Sequence, residues 1–189
     1  HAEHVRFASL LHFFQPRMAE FHDGHDPDYE LMRDVVHYLH HFADRYHLRR
    51  YMRPIAFDDY YAMKKGVIGS HWLNLLRGVT KSEYYINTGT NFVKLKRRVG
   101  QEVAKLSESE KEALNFALEK FGKFNENELV SLLHEYPEWK KHEKWLKGHP
   151  DSRQDIDIRD IFNDPEDNIV FTYYEFEDPF EKLSADERE

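Results

Sequence analysis

Apolar side chains recur at helical spacing near the N-terminus and predict two helices. The first covers residues 5–21, and Pro16 inside it is expected to kink or split the helix. The second covers residues 27–49, because Asp26 is a good N-cap and Pro27 suits the first helical turn. Its apolar residues form one stripe, whereas most histidines of HYLHHFADRYHL fall on the other side. The pattern predicts a buried apolar face and a polar, histidine-rich face directed away from the core.

The segment EYYINTGTNFVKLKRRV, residues 83–99, predicts a β-hairpin. Two alternating runs flank a turn rich in Asn, Thr and Gly. Alternation gives one apolar face, made of Tyr84, Ile86, Val93 and Leu95. The opposite face combines aromatic and basic side chains: Tyr85, Phe92, Lys94 and Lys96. This mixture suits a protein contact or the stacking of single-stranded nucleic acid, and it also occurs where a helix covers a hairpin. These four residues are candidate partner contacts.

The second half of the chain carries strong helix start signals. Ser107 with Glu110, and Asn125 with Glu128, form capping-box patterns ahead of amphipathic segments. A further helix begins at the proline of PEWKKHEKWLKG, and NIVFTYYEF, at 168–176, is predicted to be a strand. The predicted fold class is therefore mainly α: a single-domain bundle of about six helices with a small β-hairpin and a C-terminal strand.

Charge is distributed unevenly along the 189 residues, whose net charge is −8. Residues 151–189 contain 14 acidic and 4 basic side chains, whereas residues 1–150 contain 21 acidic and 23 basic ones. We expect one domain over residues 1–177 and an acidic tail at 178–189. A nearly neutral body with an acidic end argues against nucleic-acid binding and suits a basic protein partner, although such an end can also be plain solvated surface.

Composition narrows the setting of the protein. The chain has no cysteine, which fits a reducing cytoplasm. It has no run of 18 apolar residues, so no membrane span is predicted, and no cleavage pattern indicates a signal peptide. The glycines of GVIGSHW match neither the phosphate-binding nor the dinucleotide-binding loop. No cofactor is predicted, and the expected location is cytoplasmic.

The histidine-rich helix raises the question of a metal site. His37 and His41 lie one turn apart on one face, and Asp44 follows about one turn later. Two imidazoles and a carboxylate can bind Zn²⁺ or Ni²⁺, with His22 or His25 as a further ligand. The HExxH pattern is absent, because the required glutamate is missing. The competing interpretation is a polar helix face without metal.

Two further groups of residues are candidates for function. Tyr173, Tyr174 and Phe176 stand among acidic residues and could insert into a basic cleft of a partner, or they could belong to a terminal strand packed on the body. His134, in LLHEYPEW, could be a general base or a partner contact. Its structural interpretation is a hydrogen bond to the turn before Pro137, with Trp139 packed beside it. No nucleophile is fixed near it by the sequence.

Two segments resemble a known family. The first is MRDVVHYLHHFADRYHLRRYMRPIAFDDYYAMKKGVIGSHW, and the second is LSESEKEALNFALEKFGKFNENELVSLLHEYPEWKK. Their phrases ADRYHL, PI, LSESEKE, LEKFG, LLH and PEW, in this order, resemble the Panacea domain, also described as the SocA-like antitoxin domain. The trailing IDIRDIF is similar to the family's closing segment. The resemblance covers residues 5–165.

The resemblance implies an antitoxin of a type II-like toxin–antitoxin system, and not an enzyme. Such a domain binds a protein toxin encoded by a neighbouring gene, and toxins of the family are diverse. At least one relative delivers its toxin to a protease, so a protease is a further expected partner. Two alternatives stay open: a metal-dependent hydrolase that uses His37, His41 and Asp44, and a phage or mobile-element accessory protein that binds another partner.

Overall fold

The structure is a computed structural model that describes residues 2–55, 58–77, 82–96 and 106–163. Within these ranges the chain forms seven α-helices: α1 (Ala2–His22), α2 (Arg33–Tyr51), α3 (Ser70–Arg77), α4 (Glu108–Phe121), α5 (Glu126–Leu133), α6 (Pro137–Lys140) and α7 (Glu143–Gly148). It also forms six strands: β1 (Leu31–Met32), β2 (Tyr60–Met63), β3 (Val67–Gly69), β4 (Tyr85–Thr88), β5 (Phe92–Leu95) and β6 (Arg153–Asp155). A short 3₁₀ helix covers Ile158–Phe162.

The strands form two three-stranded antiparallel sheets, in the orders β1-β5-β4 and β3-β2-β6. The fold is therefore mixed, with helices and sheets, and the prediction of a mainly α bundle with one hairpin and a C-terminal strand was wrong. The hairpin itself was predicted correctly. The other strands have two to four residues, which is too short for alternation to distinguish them from loops. The predicted strand at 168–176 and the boundary at residue 178 lie outside the described residues.

The start of α2 shows why local signals misled the prediction. The helix begins at Arg33 and not at Pro27. Asp26 instead accepts a hydrogen bond from the backbone N–H of Asp28, at 2.9 Å, within a turn. The next residues, Leu31 and Met32, form β1 and pair with β5. Sheet pairing thus takes up residues that the Asp-Pro signal had assigned to the helix.

Other local signals are confirmed. Both capping boxes are present, with Ser107 and Glu110 at the start of α4 and Asn125 and Glu128 at the start of α5. Each box satisfies backbone N–H groups that have no partner within the helix.

The first helix, α1, continues through Pro16 and is not split.

The centre of the fold is α2, which packs against α4, β3 and α5. Residues 35–48 of this helix are all buried, including its polar ones. An ordinary surface helix buries one apolar stripe and exposes the opposite side. Because α2 is enclosed on all sides, its histidines, Asp44 and Arg45 lie in the interior, where polar groups require internal partners.

Candidate functional site

The polar side of α2 is buried, contrary to the sequence prediction. His37 is 3% exposed, His41 is fully buried and Asp44 is 2% exposed. The amphipathic pattern was read correctly, but other elements cover the polar side as well as the apolar one. The question for this helix is therefore which groups satisfy its buried polar atoms.

One cluster joins α2 to α6 and is here called the Glu138 cluster; it consists of His41, Arg45 and Glu138. Arg45 Nε donates to Glu138 Oε1 at 2.7 Å, and His41 Nε2 lies 2.9 Å from the same oxygen. A second Arg45 nitrogen, Nη2, donates to Glu138 Oε2 at 3.3 Å and to the carbonyl of Ile161 at 3.1 Å. The guanidinium also stacks on the Tyr136 ring, 4.0 Å from its centroid.

The charges of this cluster are balanced inside the protein. Burial alone would raise the pKa of Glu138, but the positive charge of Arg45 and the hydrogen bond with His41 outweigh it and lower the pKa to about 2. Glu138 is thus a carboxylate that binds a buried arginine, and both side chains are almost completely inaccessible. The cluster connects α2, α6 and the 3₁₀ helix.

A second cluster, here called the Asp44 cluster, consists of Asp44, Tyr60 and His40. The Tyr60 hydroxyl donates to Asp44 Oδ2 at 2.6 Å, and the backbone N–H of Ile55 donates to Asp44 Oδ1 at 2.5 Å. His40 Nδ1 lies 3.1 Å from the Tyr60 hydroxyl, and its ring packs on Trp72 with the centroids 3.7 Å apart. Burial raises the pKa of Asp44 to about 7, although its two hydrogen bonds oppose the shift.

His47 connects α2 to a third part of the chain. Its Nδ1 lies 2.5 Å from the carbonyl oxygen of Arg53, and its Nε2 lies 2.9 Å from Ser109 Oγ in the first turn of α4. Together with the two clusters, it gives α2 polar connections to α4, α6 and β2. These side chains hold the elements of the domain in place, and their burial keeps them from reaching a substrate in solvent.

The geometry of α2 also bears on the metal hypothesis. His41 bonds to Glu138, and Asp44 bonds to Tyr60 and to the Ile55 backbone, so the predicted ligands have partners on different elements. In the part of the chain that the structure describes, no three His, Cys, Asp or Glu side chains are grouped so that they could hold a metal ion. Nor does any described helix combine the length and apolar character that crossing a membrane requires.

The hairpin does not present the four predicted contacts on one face. Tyr85 pairs with Leu95, and Ile86 pairs with Lys94, so Tyr85 lies on the face opposite to Lys94. Tyr85 is 3% exposed and packs edge-on against Phe7, with the ring centroids 5.3 Å apart. It is a core residue, and the predicted assignment of its face was wrong.

The outer face of the hairpin, here called the hairpin face, contains Ile86, Phe92, Lys94 and Lys96. Ile86 is 45% exposed and Phe92 is 37% exposed. Lys94 Nζ lies 3.4 Å from Asp28 Oδ1, and Lys96 Nζ donates to the carbonyl of Ser82 at 3.1 Å. Ile86 was not among the predicted contacts, because the predicted alternation placed it on the same apolar face as Val93 and Leu95. The C-terminal candidates Tyr173, Tyr174 and Phe176 lie outside the described residues.

The contacts of His134 give this residue a structural role. Its ring stacks on Trp139 with the centroids 3.6 Å apart, as its structural interpretation predicted. Its hydrogen bond differs from the expected one, because Nε2 lies 3.0 Å from the carbonyl oxygen of Lys65, in the turn between β2 and β3. Burial lowers the pKa of His134, which favours the neutral ring at neutral pH.

Several of these internal contacts come from the phrases that carried the family resemblance. Asp44, Arg45 and His47 belong to ADRYHL, and Glu138 and Trp139 belong to PEW. Glu138, Arg45 and Tyr60 were not among the residues predicted to be functional. No local sequence pattern indicates the Glu138 cluster, because its members come together only in the tertiary structure.

Comparison with known families gives an antitoxin-like class of protein. Residues 39–140, more than half of the chain, match the family described as "Antitoxin SocA-like, Panacea domain". The chain therefore belongs to the Panacea-domain family, which confirms the predicted resemblance. Comparisons with curated proteins and with solved structures give no match.

Proposed function

We propose that this protein is the antitoxin of a type II-like toxin–antitoxin system and neutralises a neighbour-encoded protein toxin by direct binding. The main support for this proposal is the match of residues 39–140 to the Panacea-domain family. The partner is then a protein, and the cytoplasm is the proposed place of action. We propose binding without catalysis.

The distribution of polar groups supports a binding role for the surface. Four ionisable residues of α2 are members of the Glu138 and Asp44 clusters, so they contribute to the scaffold: His40, His41, Asp44 and Arg45. The hairpin face offers a different chemistry, because Ile86 and Phe92 are exposed apolar side chains beside two lysines. Apolar anchors surrounded by charged groups are typical of the centre of a protein interface. We therefore propose Phe92, Lys94 and Lys96, together with Ile86, as toxin contacts.

The C-terminal aromatic residues form the second part of the proposed toxin contact. Tyr173, Tyr174 and Phe176 occur in a sequence with many carboxylates, which would favour encounter with a basic toxin surface. Aromatic side chains supply most of the binding energy in many interfaces, whereas peripheral charges mainly raise the association rate. Tyr85 is excluded from the proposed contact, because it is buried against Phe7.

Growth rescue in a bacterial host tests the proposed function. The neighbouring gene is expressed alone and together with this protein, and both products are detected by immunoblot. We expect growth arrest in the first case and restored growth in the second. A harmless neighbour, or failure of rescue although both proteins accumulate, would contradict the proposal. The toxin level distinguishes two routes, because direct blocking leaves it unchanged whereas delivery to a protease lowers it.

Variants of exposed aromatic residues test the proposed surface. Phe92→Ser should reduce rescue and weaken co-purification with the toxin. Phe162→Ser is the matched control, because Phe162 is 43% exposed but lies in the 3₁₀ helix, away from the hairpin sequence. Equal rescue by both variants would move the toxin contact away from the hairpin face without affecting the family assignment.

A further inference from the structure

A groove lies beside the turn between β2 and β3. It consists of two neighbouring cavities of about 290 Å³ and about 370 Å³, and the walls of both include Lys64 and Pro150. Apolar and aromatic side chains contribute to its walls: Tyr38, Ile68, Leu73, His134, Trp139 and Leu146. The stacked rings of His134 and Trp139 form part of the wall of the larger cavity. Cavities of this size and lining can receive aromatic side chains of a peptide.

Lysine side chains surround the groove. Lys64, Lys65 and Lys147 are among its lining residues, together with the carboxylates of Asp34 and Glu143. Lys147 Nζ lies 3.6 Å from Glu143 Oε1, and 77% of the Lys147 side chain is exposed. Lys65 Nζ lies 3.9 Å from Glu126 Oε1, and 71% of its side chain is exposed. These pairs are weak at the surface, so their ammonium groups can still attract another anion.

Further lysines follow the groove residue Trp139 along the chain. Lys140, Lys141 and Lys144 follow Trp139 within five residues, and all three are exposed. Acidic groups offset part of this charge: Glu135 lies 3.7 Å from Lys140 Nζ, Asp160 lies 3.1 Å from Lys141 Nζ, and Glu143 belongs to the same stretch. Among the residues that line the groove, three lysines outnumber two carboxylates, so an occupant with aromatic side chains and a negative charge would match it.

Residues 164–189 of the same chain have this composition. They contain ten acidic and two basic residues, which gives a net charge of −8. They also contain five aromatic residues: Phe171, Tyr173, Tyr174, Phe176 and Phe180. The charge is opposite to that of the lysines around the groove, and the aromatic side chains suit its apolar walls.

The last described residues bring the chain to this side of the domain. The 3₁₀ helix packs on α6, which carries Trp139, and its Asp160 pairs with Lys141. Residue 163 is the last one described. The 26 residues beyond it can span up to about 86 Å at ~3.3 Å per residue, so reach does not limit access to the groove. Tethering also gives a short linked segment an effective concentration in the millimolar range.

We infer that the groove between the β2–β3 turn and α7 holds the acidic, aromatic segment 164–189 of the same chain. Its aromatic side chains occupy the two cavities, and its carboxylates face the surrounding lysines. This docking does not depend on a toxin. If the proposed function is also correct, Tyr173, Tyr174 and Phe176 leave the groove when they contact the toxin, so the groove and the toxin compete for the same side chains.

Paramagnetic broadening tests the docking in the full-length protein. The chain has no cysteine, so Thr172→Cys provides a single site for a nitroxide label in the middle of the segment. The amide NMR signals of ¹⁵N-labelled protein are compared before and after the nitroxide is reduced. Amides beside the groove, such as those of Lys64, Gly66 and Leu146, should lose most of their intensity, whereas those of the hairpin turn at Gly89 should keep it.

Charge reversal provides the specificity control. Lys64→Glu with Lys147→Glu should restore the groove signals, and so should ~1 M salt, because the Debye length then falls to about 3 Å. Lys94→Glu with Lys111→Glu makes the same change in net charge at residues that do not line the groove, and it should leave the broadening intact. The amide spectra report in the same measurement whether each variant is folded.

Three results with the spin-labelled full-length protein, and a fourth with a mixture of chains, would overturn the inference. The groove signals could stay sharp, the broadening could centre on another surface such as the hairpin face, or both double variants could have the same effect. A mixture of ¹⁵N-labelled unmodified chain with unlabelled spin-labelled chain gives a further check. Broadening in that mixture would mean that the segment binds a second copy, which contradicts docking within one chain. Loss of toxin binding would change none of these signals, so the two proposals can fail separately.

Discussion

Glu138→Gln is predicted to destabilise the protein strongly, because it leaves Arg45 buried beside a neutral group. Glu138 is fully buried, and its pKa is lowered from 4.5 to about 2. A difference of about 2.5 pKa units corresponds to about 3 kcal/mol of folding free energy at neutral pH. The ~3–5 kcal/mol typical of breaking a buried ion pair is of the same size. Glu138→Ala should lose at least as much, because it also removes the hydrogen-bond acceptor for His41.

The destabilisation caused by Glu138→Gln should become smaller as the pH falls. A carboxylate with a depressed folded-state pKa contributes stability above its unfolded pKa and loses that contribution as pH falls towards the folded value. The stability gap between the unmodified protein and Glu138→Gln should therefore be about 3 kcal/mol at pH 7 and about 1 kcal/mol at pH 3. Urea unfolding followed by circular dichroism measures both values, provided that the free energy of unfolding falls with urea concentration at the same slope in both proteins.

Glu135→Gln is the matched control for this measurement. Glu135 lies three residues earlier, its side chain is 60% exposed, and it pairs with Lys140 at 3.7 Å. Exposed pairs of this kind contribute at most about 1 kcal/mol. The reasoning would be refuted if Glu138→Gln were as mild as Glu135→Gln at pH 7, or if the gap did not narrow at low pH.

Two other predictions concern Asp44 and Gly69. Burial raises the pKa of Asp44 to about 7, so ionised Asp44 should destabilise the fold at high pH. Relative to Asp44→Asn, the free energy of unfolding of the unmodified protein should fall by up to about 4 kcal/mol between pH 4 and pH 8. A difference between the two proteins that stays constant with pH in urea titrations would contradict this prediction. Gly69→Ala should lower the free energy of unfolding by about 1–2 kcal/mol, because the new Cβ would clash with Asp58 Oδ2. The Asp58 carboxylate accepts hydrogen bonds from two backbone N–H groups at the start of α3, and the clash would disturb them. Gly148→Ala, where nothing lies within 4 Å, should be neutral or stabilising, and equal thermal shifts for the two variants would refute the steric argument.

Features determined by a few neighbouring residues could be predicted from the sequence. The capping boxes at Ser107 and Asn125 need only side chains three residues apart, and both are present. The hairpin was also predicted, but its facing was not. To place Ile86 on the same face as Val93, the loop between the two strands would need an even number of residues. Three residues separate β4 from β5. Gly89 in this loop has a φ of 58°. A shift of one residue exchanges the two faces of a strand, which is why Tyr85 is buried and Ile86 is exposed.

Features that depend on distant segments could not be predicted in this way. The apolar stripe of α2 was correct, but periodicity does not show whether the polar side is covered. Covering requires Glu138, which is 97 residues from His41 along the chain, and Tyr60 from β2. The short strands β1, β2, β3 and β6 likewise form because partners satisfy their backbone groups, and this information is absent from a two- to four-residue pattern.

The two kinds of feature divide the molecule into a scaffold and a surface. The Glu138 and Asp44 clusters lie within residues 39–140 and connect elements of the interior, so substituting them should alter folding before it alters partner choice. The hairpin face is partly exposed and includes none of the residues of the two buried clusters, so its side chains can change without removing a cluster contact. Residues 164–189 lie beyond the matched range. A scaffold held by internal polar contacts, with its proposed recognition groups outside them, can keep one fold while the partner that it binds changes.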